Sequence, residues 1–298
     1  MKAAIAAHLS SAVARLKTDE PLNEHTTFHI GGPARYYAEV DTAVQLESAI
    51  KLCYRYKLPL LVLGSGSNVL IGDHGFDGVV LRLAGSFTDF RFDGQYLHSG
   101  AGASLGMLVN RSAQEGLYGM EHLCGIPGTL GGAIRGNAGS REKWIGELVE
   151  ELEVMTLAAK SEILPRSALE FSYRRFNGEN MILTGAKLLL KKGLKNDILM
   201  NVGALMNRRT DTQPAGKWCA GSIFKNPPGD SAGRLIESCG LKGLTLGGAK
   251  ISDIHANFII NTGSACSRDV RALIAIVHGK VKEKYGIQLE LEIELIGE

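Results

Sequence analysis

The run Ala220-Gly221-Ser222-Ile223-Phe224-Lys225-Asn226-Pro227 sets a hydroxyl, an ammonium and a carboxamide close together. Ser222 can give or take a proton, Lys225 carries a mobile positive charge, and Asn226 reads polar groups through its amide. Ala220 and Gly221 leave room for a substrate to approach the backbone. That mixture fits the inside of an active site and not a packed core.

Two glycine clusters are candidate companions. Gly64-Ser65-Gly66-Ser67-Asn68 follows the apolar run Leu60-Leu61-Val62-Leu63. Its small residues expose successive backbone N–H groups to a pyrophosphate, and Ser67 and Asn68 add donors. It lacks the third glycine and following helix of a Rossmann fingerprint, and it has no Walker Gly-Lys-Ser/Thr. Alone, an ordinary tight turn explains it equally well. The second cluster, Gly125-Ile126-Pro127-Gly128-Thr129-Leu130-Gly131-Gly132-Ala133, leads to Gly136-Asn137-Ala138-Gly139. So few large side chains let a flat aromatic ring lie on backbone, whose N–H and C=O groups read its edges. One cluster for phosphates and one for a ring point to a large dinucleotide such as a flavin.

Three further features have bland explanations when taken singly. Tyr173-Arg174-Arg175 puts guanidinium forks among aromatics, suited to a carboxylate or phosphate, yet most arginines are merely solvated. Glu290, Glu292 and Glu294 alternate with Leu289, Leu291, Ile293 and Leu295, which reads as the wet face of an edge strand. His255, in Ser252-Asp253-Ile254-His255-Ala256-Asn257, reads as a structural histidine.

The elements that must position these groups follow from periodicity and caps. Strands are expected at 36–40, 60–63, 78–83, 90–92, 96–98, 148–156, 181–190, 257–261 and 288–296. Thr42 caps a helix with Val44, Leu46, Ile50 and Cys53 at helical spacing, and Ser104 caps one running to Glu115. Further helices are expected at 196–209, 232–239 and 268–285, with an amphipathic one in residues 1–17. Across 117–139 glycine is too dense for a regular element to persist. The result is an α+β chain in two parts, with the boundary at the helix near 196.

At 298 residues, 45% hydrophobic and 21% charged, the composition is that of a soluble globular protein of two cores. A net charge of +2 points to no nucleic-acid or membrane partner. Cys53, Cys124, Cys219, Cys239 and Cys266 have no metal-site spacing and read as reduced thiols. No metal is expected. Neither a signal peptide nor a membrane span is recognisable.

Taken together, these runs resemble the UDP-N-acetylenolpyruvoylglucosamine reductase (MurB) family of bacterial peptidoglycan synthesis. The resemblance runs from Asn23-Glu24-His25-Thr26-Thr27-Phe28-His29-Ile30-Gly31-Gly32 to Leu289-Glu290-Leu291-Glu292. It implies a lead-in over 1–27 and a two-subdomain FAD-binding domain of the vanillyl-alcohol-oxidase (PCMH) type over 28–195. A C-terminal α+β substrate-binding domain would span 196–298. It further implies non-covalent FAD, NADPH as electron donor, an enolpyruvyl ether of UDP-N-acetylglucosamine as substrate, and a cytoplasmic location. Carried over by position, Ser222 is the proton donor, with Arg174 and Glu292 the other catalytic residues. Tyr173, Lys225, Asn226 and His255 fall among substrate contacts. No inserted tyrosine loop is present, as in the family's shorter branch. Thr212 stands where that branch has a lysine, leaving Lys225, Arg208 and Arg209 as candidates for the diphosphate. Ser140-Arg141-Glu142 replaces the Ala-Tyr-Gly of many members.

Overall fold

Ile5 and Leu9 lie one helical turn apart and are both buried, so helix α1 (Lys2–Ala12) docks through that pair. It ends short of the expected residue 17. Arg15–Pro21 is instead a strand, brought in by Ala14 N–H donating to the Glu39 carbonyl at 3.0 Å. Helix α2 (Ala43–Tyr56) starts at the expected cap, where Thr42 Oγ1 accepts from Gln45 N–H at 3.4 Å. Its buried stripe is Leu46, Ala49, Ile50 and Cys53. Val44, expected on that stripe, is 71% exposed, because two residues rotate a helix by roughly 200°.

The computed structural model describes residues 2–140 and 143–297, and they fall into two units. The first comprises Met1–Thr18, Tyr36–Ser65 and Gly78–Asn207. One sheet runs Arg15–Pro21, Pro33–Val40, Phe76–Leu83, Leu60–Val62, the last two parallel. The other runs Ser161–Pro165, Val149–Thr156, Met181–Leu189, Tyr96–Gly100, Phe90–Asp93 and is antiparallel. Helices α3 (Leu105–Gln114) and α4 (Leu130–Arg135) pack with both sheets on one core that includes Tyr36, Leu81, Leu97, Leu108, Leu130 and Leu188. Two sheets around one core make the two-subdomain α+β arrangement. Helix α4 corrects the expectation that 117–139 holds no regular element. Thr129 Oγ1 accepts from Gly132 N–H at 3.3 Å, and buried Leu130, Ala133 and Ile134 hold the short helix in place.

The second unit comprises Asp19–Arg35, Gly66–Asp77 and Arg208–Glu298. Thus residues 19–35 and 66–77 pack with the C-terminal part, and the expected division at 28 and 196 follows the chain more simply than the packing does. Helix α5 (Lys195–Thr212) leads into this unit, whose core includes Phe28, Leu70, Phe224, Leu235, Ile251 and Val277. Helices α6 (Ala232–Ser238) and α7 (Ser267–Tyr285) flank an antiparallel sheet of Thr245–Leu246, Ala249–Ile251 and Ile259–Asn261. The expected last strand over 288–296 is not continuous. It bends at Glu292 and Ile293, and only Glu294–Ile296 is a strand, parallel to Val69–Ile71. The five cysteines are unbridged. No helix among the described residues is long and apolar enough to cross a membrane.

Asp73 ties the inserted segment 66–77 to α7, accepting from Ser267 N–H at 2.7 Å and Arg268 N–H at 3.4 Å. Such a cap satisfies helix donors that have no partner within the helix. Asp73→Ala is therefore expected to cost about 1–2 kcal/mol in urea unfolding, with Asp73→Asn retaining part of it. An unchanged midpoint for the alanine variant would contradict this role.

Candidate active site

In the second unit the serine run is an extended segment with partners on both sides. Toward the C-terminus, Glu292 N–H donates to the Ile223 carbonyl and Lys225 N–H to the Glu290 carbonyl, both at 2.8 Å. Phe224 faces Leu291 across this pairing. The structure thereby brings Ser222 and Glu292 into one small neighbourhood, each a residue away from or within the bonded pair. On the other side, Ile223 N–H donates to the Asn257 carbonyl at 2.8 Å. The buried Asn257 side chain accepts from Phe224 N–H at 3.0 Å and donates to the Phe224 carbonyl at 2.8 Å. Asn257 carries only a faint sequence signal, a polar residue opening the apolar run Phe258-Ile259-Ile260.

The acidic row does not behave as one wet face. Glu290 is exposed and its Oε2 lies 3.3 Å from Lys225 Nζ. Glu292 is half-buried at the bend, where its carbonyl accepts from Asn68 Nδ2 at 3.0 Å. Glu294 N–H donates to the Asn68 carbonyl at 2.9 Å. Asn68, expected among phosphate donors, thus also braces the Glu292 bend. Gly66 sits against His25 and Thr26, and Thr27 N–H donates to its carbonyl at 3.2 Å. The Thr27 hydroxyl donates to the Cys219 carbonyl at 2.7 Å, joining that loop to the serine run. A Cβ added at Gly221, at φ +76°, would lie 3.9 Å from the Ser67 carbonyl.

Asn226 Oδ1 accepts from Ala232 N–H at 2.9 Å, so its side chain orders the entry to α6. His255 stands against Gly233 of that helix, and its Nδ1 accepts from Asn257 N–H at 3.2 Å. The ring proton is therefore on Nε2, and burial holds the ring's pKa below the ordinary histidine value. His255 offers a neutral N–H donor.

In the first unit Gly64, which opens the first glycine cluster, meets the second. A Cβ on Gly64 would lie 2.6 Å from Thr129 Oγ1, so only glycine permits this approach. Gly128 has φ +141°, a backbone conformation closed to other residues. Its carbonyl accepts from Leu105 N–H at 3.0 Å, while Leu130 and Gly131 N–H donate to the carbonyls of Ala103 and Ala101 at 2.9 and 2.8 Å. Gly125, Ile126, Pro127, Gly128, Thr129 and Gly132 are at least partly accessible, whereas Ala133 is buried. Ser65 is exposed.

Phe171–Ser172 and Arg175–Phe176 form a hairpin with Tyr173 and Arg174 at its tip. The structure separates the two arginines. Arg175 is solvated and paired with Glu179 at 2.9 Å. Arg174 is half-buried at φ +58°, with Nη1 donating to the Gly139 carbonyl at 3.1 Å and its guanidinium 5.4 Å from the Tyr173 ring centre. An L-residue there costs about 1–2 kcal/mol, and such strain is concentrated at working sites. Asn137, expected at the flavin, turns its buried side chain to protein: Nδ2 donates to the Ser172 carbonyl at 2.8 Å and Oδ1 accepts from Gly146 N–H at 3.1 Å. Arg141 and Glu142 lie outside the described residues.

Residues 34–164 match the family described as FAD binding domain, and residues 213–296 the UDP-N-acetylenolpyruvoylglucosamine reductase C-terminal domain. The chain is 40% identical over 285 residues to UDP-N-acetylenolpyruvoylglucosamine reductase 2 of Symbiobacterium thermophilum, covering 95% of this chain and 92% of that protein. It is 41% identical to the reductase of Lachnoclostridium phytofermentans, covering 95% and 94% respectively. The crystal structure of the reductase (MurB) from Thermus caldophilus superposes with a TM-score of 0.83 at 38% identity, over 95% of this chain and 98% of that one. Phl p 4, a grass pollen allergen with glucose dehydrogenase activity, matches at TM-score 0.51 and 13% identity, over 64% of this chain and 44% of its own, a likeness of fold alone.

The Gly64 approach makes a direct expectation. Gly64→Ala is expected to lower flavin bound per protein at least tenfold, because a methyl must push Thr129 out of place. Gly106→Ala, where a Cβ meets nothing within 4 Å, is the control and keeps its flavin. Equal flavin content in both variants would refute the cradle.

Burial lowers the pKa of His122, His255 and His278. The unfolded chain then binds more protons than the folded one as pH drops below about 6.5, so stability is full above that value and declines beneath it. Urea midpoints should fall between about pH 7.5 and pH 5.5, and His278→Gln should flatten the decline. A pH-independent midpoint in the wild type would contradict this.

Proposed function

The chain belongs to the UDP-N-acetylenolpyruvoylglucosamine reductase family, and we propose that it converts the enolpyruvyl ether of UDP-N-acetylglucosamine to UDP-N-acetylmuramate, a cytoplasmic step of peptidoglycan synthesis, with NADPH as electron donor. The observation that supports this reading is the Glu292–Ile223 backbone bond, which pairs the residue after Ser222 with the half-buried Glu292.

The first unit fits FAD. Gly64 approaches Thr129 with no room for a side chain, and Gly125 and Gly128 hold conformations that glycine alone adopts freely. Gly64, Ser65, Gly66, Ser67 and Asn68 would hold the pyrophosphate through backbone and side-chain donors. Residues Gly125, Ile126, Pro127, Gly128, Thr129, Gly132, Ala133 and Gly139 would receive the ring. When bound there, FAD would supply the hydride chemistry, with electrons drawn from NADPH, for reduction of the enolpyruvyl group.

The chain's own residues must make that addition possible. An enol ether is electron-rich and resists hydride unless the negative charge gathering at the carboxylate-bearing carbon is stabilised. Arg174 clamps the substrate carboxylate, and its strained, doubly tethered position keeps the guanidinium preorganised for the charge. Glu292, when it carries a proton, donates a hydrogen bond to the same developing charge. Ser222 delivers a proton to the carbon that bore the charge. A neutral serine is a weak acid, so its alkoxide needs a cation. Lys225 lies on the same segment, and its pair with the exposed Glu290 is worth no more than about 1 kcal/mol, so the ammonium is easily recruited. Tyr173, Asn226 and the His255 Nε2–H take up the rest of the nucleotide sugar.

Ser222→Ala should leave flavin reduction by NADPH near the wild-type rate in anaerobic stopped flow. Reoxidation by the enolpyruvyl sugar nucleotide should slow by about a thousandfold. Equal slowing of both half-reactions would remove Ser222 from the proton step.

A further inference from the structure

Arg174 cannot hold its place through its own hairpin. Phe171–Ser172 and Arg175–Phe176 pair over only two residues each, too little backbone to fix a tip carrying a left-handed arginine. Its position is set from outside, by the segment that follows the ring-binding glycines. Arg135, the last residue of α4, donates through Nη1 to the Gly178 carbonyl beyond the hairpin. Asn137, 4% exposed and itself at φ +40°, donates to the Ser172 carbonyl, the last residue before the tip. The Gly139 carbonyl accepts from Arg174 itself. Asn137 is further locked by Gly146 N–H. A Cβ on Gly146 would lie 2.8 Å from Asn137 Oδ1 and 2.6 Å from Phe171 Cγ, so amide, glycine and hairpin are in close contact.

We infer that Asn137 is a positioning residue for Arg174, tying the hairpin that carries the guanidinium to the C-terminal end of the flavin-cradle segment. The inference rests on the catalytic role proposed for Arg174. Asn137 suits the task because a carboxamide donates and accepts at once, joining Ser172 to Gly146 without a buried charge. Aspartate keeps the acceptor but loses the donor to Ser172. Serine cannot span both.

Two properties separate positioning from plain structural support or flavin contact. Positioning acts on the substrate half-reaction alone, and it vanishes when Arg174 is absent. Flavin affinity by fluorescence titration, both anaerobic half-reactions and steady-state kcat and KM would be measured for Asn137→Ala, Arg135→Met, Arg174→Ala and the doubles with Arg174→Ala. Asn137→Ala should bind FAD within about threefold of wild type and be reduced by NADPH normally, while reoxidation by substrate falls about a hundredfold, chiefly in kcat. Arg135→Met, on an exposed residue whose loss does not threaten folding, should show a smaller loss of the same kind, about tenfold. In the Arg174→Ala background each should cost less than about twofold, since coupled residues are not additive.

Losses in Asn137→Ala confined to flavin affinity, or multiplying fully with Arg174→Ala, would overturn the inference. Should Asn137→Ala not fold, Arg135→Met alone decides, and a wild-type reoxidation rate there overturns it. An Arg174→Ala enzyme that turns over normally overturns both this and the role of Arg174. An impaired Arg174→Ala enzyme beside unimpaired Asn137→Ala and Arg135→Met enzymes overturns only the positioning.

Discussion

The backbone pairing of Ile223 and Lys225 with Glu292 and Glu290 is the constraint on which the proposed chemistry of the second unit depends. Side chains alternate along an extended segment, so under the proposed roles of Ser222 and Glu292 a slip of one residue would turn both side chains to the opposite faces. The pairing is short, and a single backbone hydrogen bond contributes only about 1 kcal/mol net. Register is therefore secured by side chains that bond to backbone. Asn257 fixes Phe224 from one side with both ends of its amide, and Asn68 holds the Glu292 carbonyl from the other. Buried Phe224, Leu289 and Ile293 anchor the same stretch in the core. The bend at Glu292 and Ile293 leaves Glu292 half-buried, whereas Glu290 before it is exposed.

The first unit solves a different problem, that of admitting a large flat group without opening the core. It removes side chains instead of building a pocket from them. Gly64 against Thr129 closes the distance between clusters far apart in the chain, and Thr129 simultaneously caps α4. The helix directs the chain onward to Asn137 and Gly139, where the glycine segment becomes the support of the Arg174 hairpin. The strain at Arg174 is offset by these tethers, which is how a left-handed arginine persists.

Much of this could be read from residue types, and the rest could not for definite reasons. The Thr42 and Ser104 caps, the long strands and the special backbone of the glycine clusters are local properties, and they appear where expected. Helix α4 is masked in the sequence because glycine lowers local propensity while its stability comes from tertiary burial of Leu130, Ala133 and Ile134. The alternating terminal row promised a straight strand, yet Asn68 and Ile223 impose a bend that no local pattern encodes. Discontinuity of the units was invisible for the same reason: segments 19–35 and 66–77 join residues 208–298 through contacts such as Asp73 with Ser267 and Asn261 with Phe28. Asn68 and Asn137 were readable as polar groups in glycine runs, but amides bond equally well to ligands and to backbone, and only coordinates say which partners they find.

A flavin held by this fold, through which an enol ether is reduced, is the feature on which the proposed function rests. The most direct measurement is the visible spectrum of the purified protein under strict anaerobiosis. NADPH should bleach a bound flavin band, and one equivalent of the enolpyruvyl ether of UDP-N-acetylglucosamine should restore it without oxygen. A protein that binds no flavin, or whose bleached flavin recovers only when air is admitted, would contradict it.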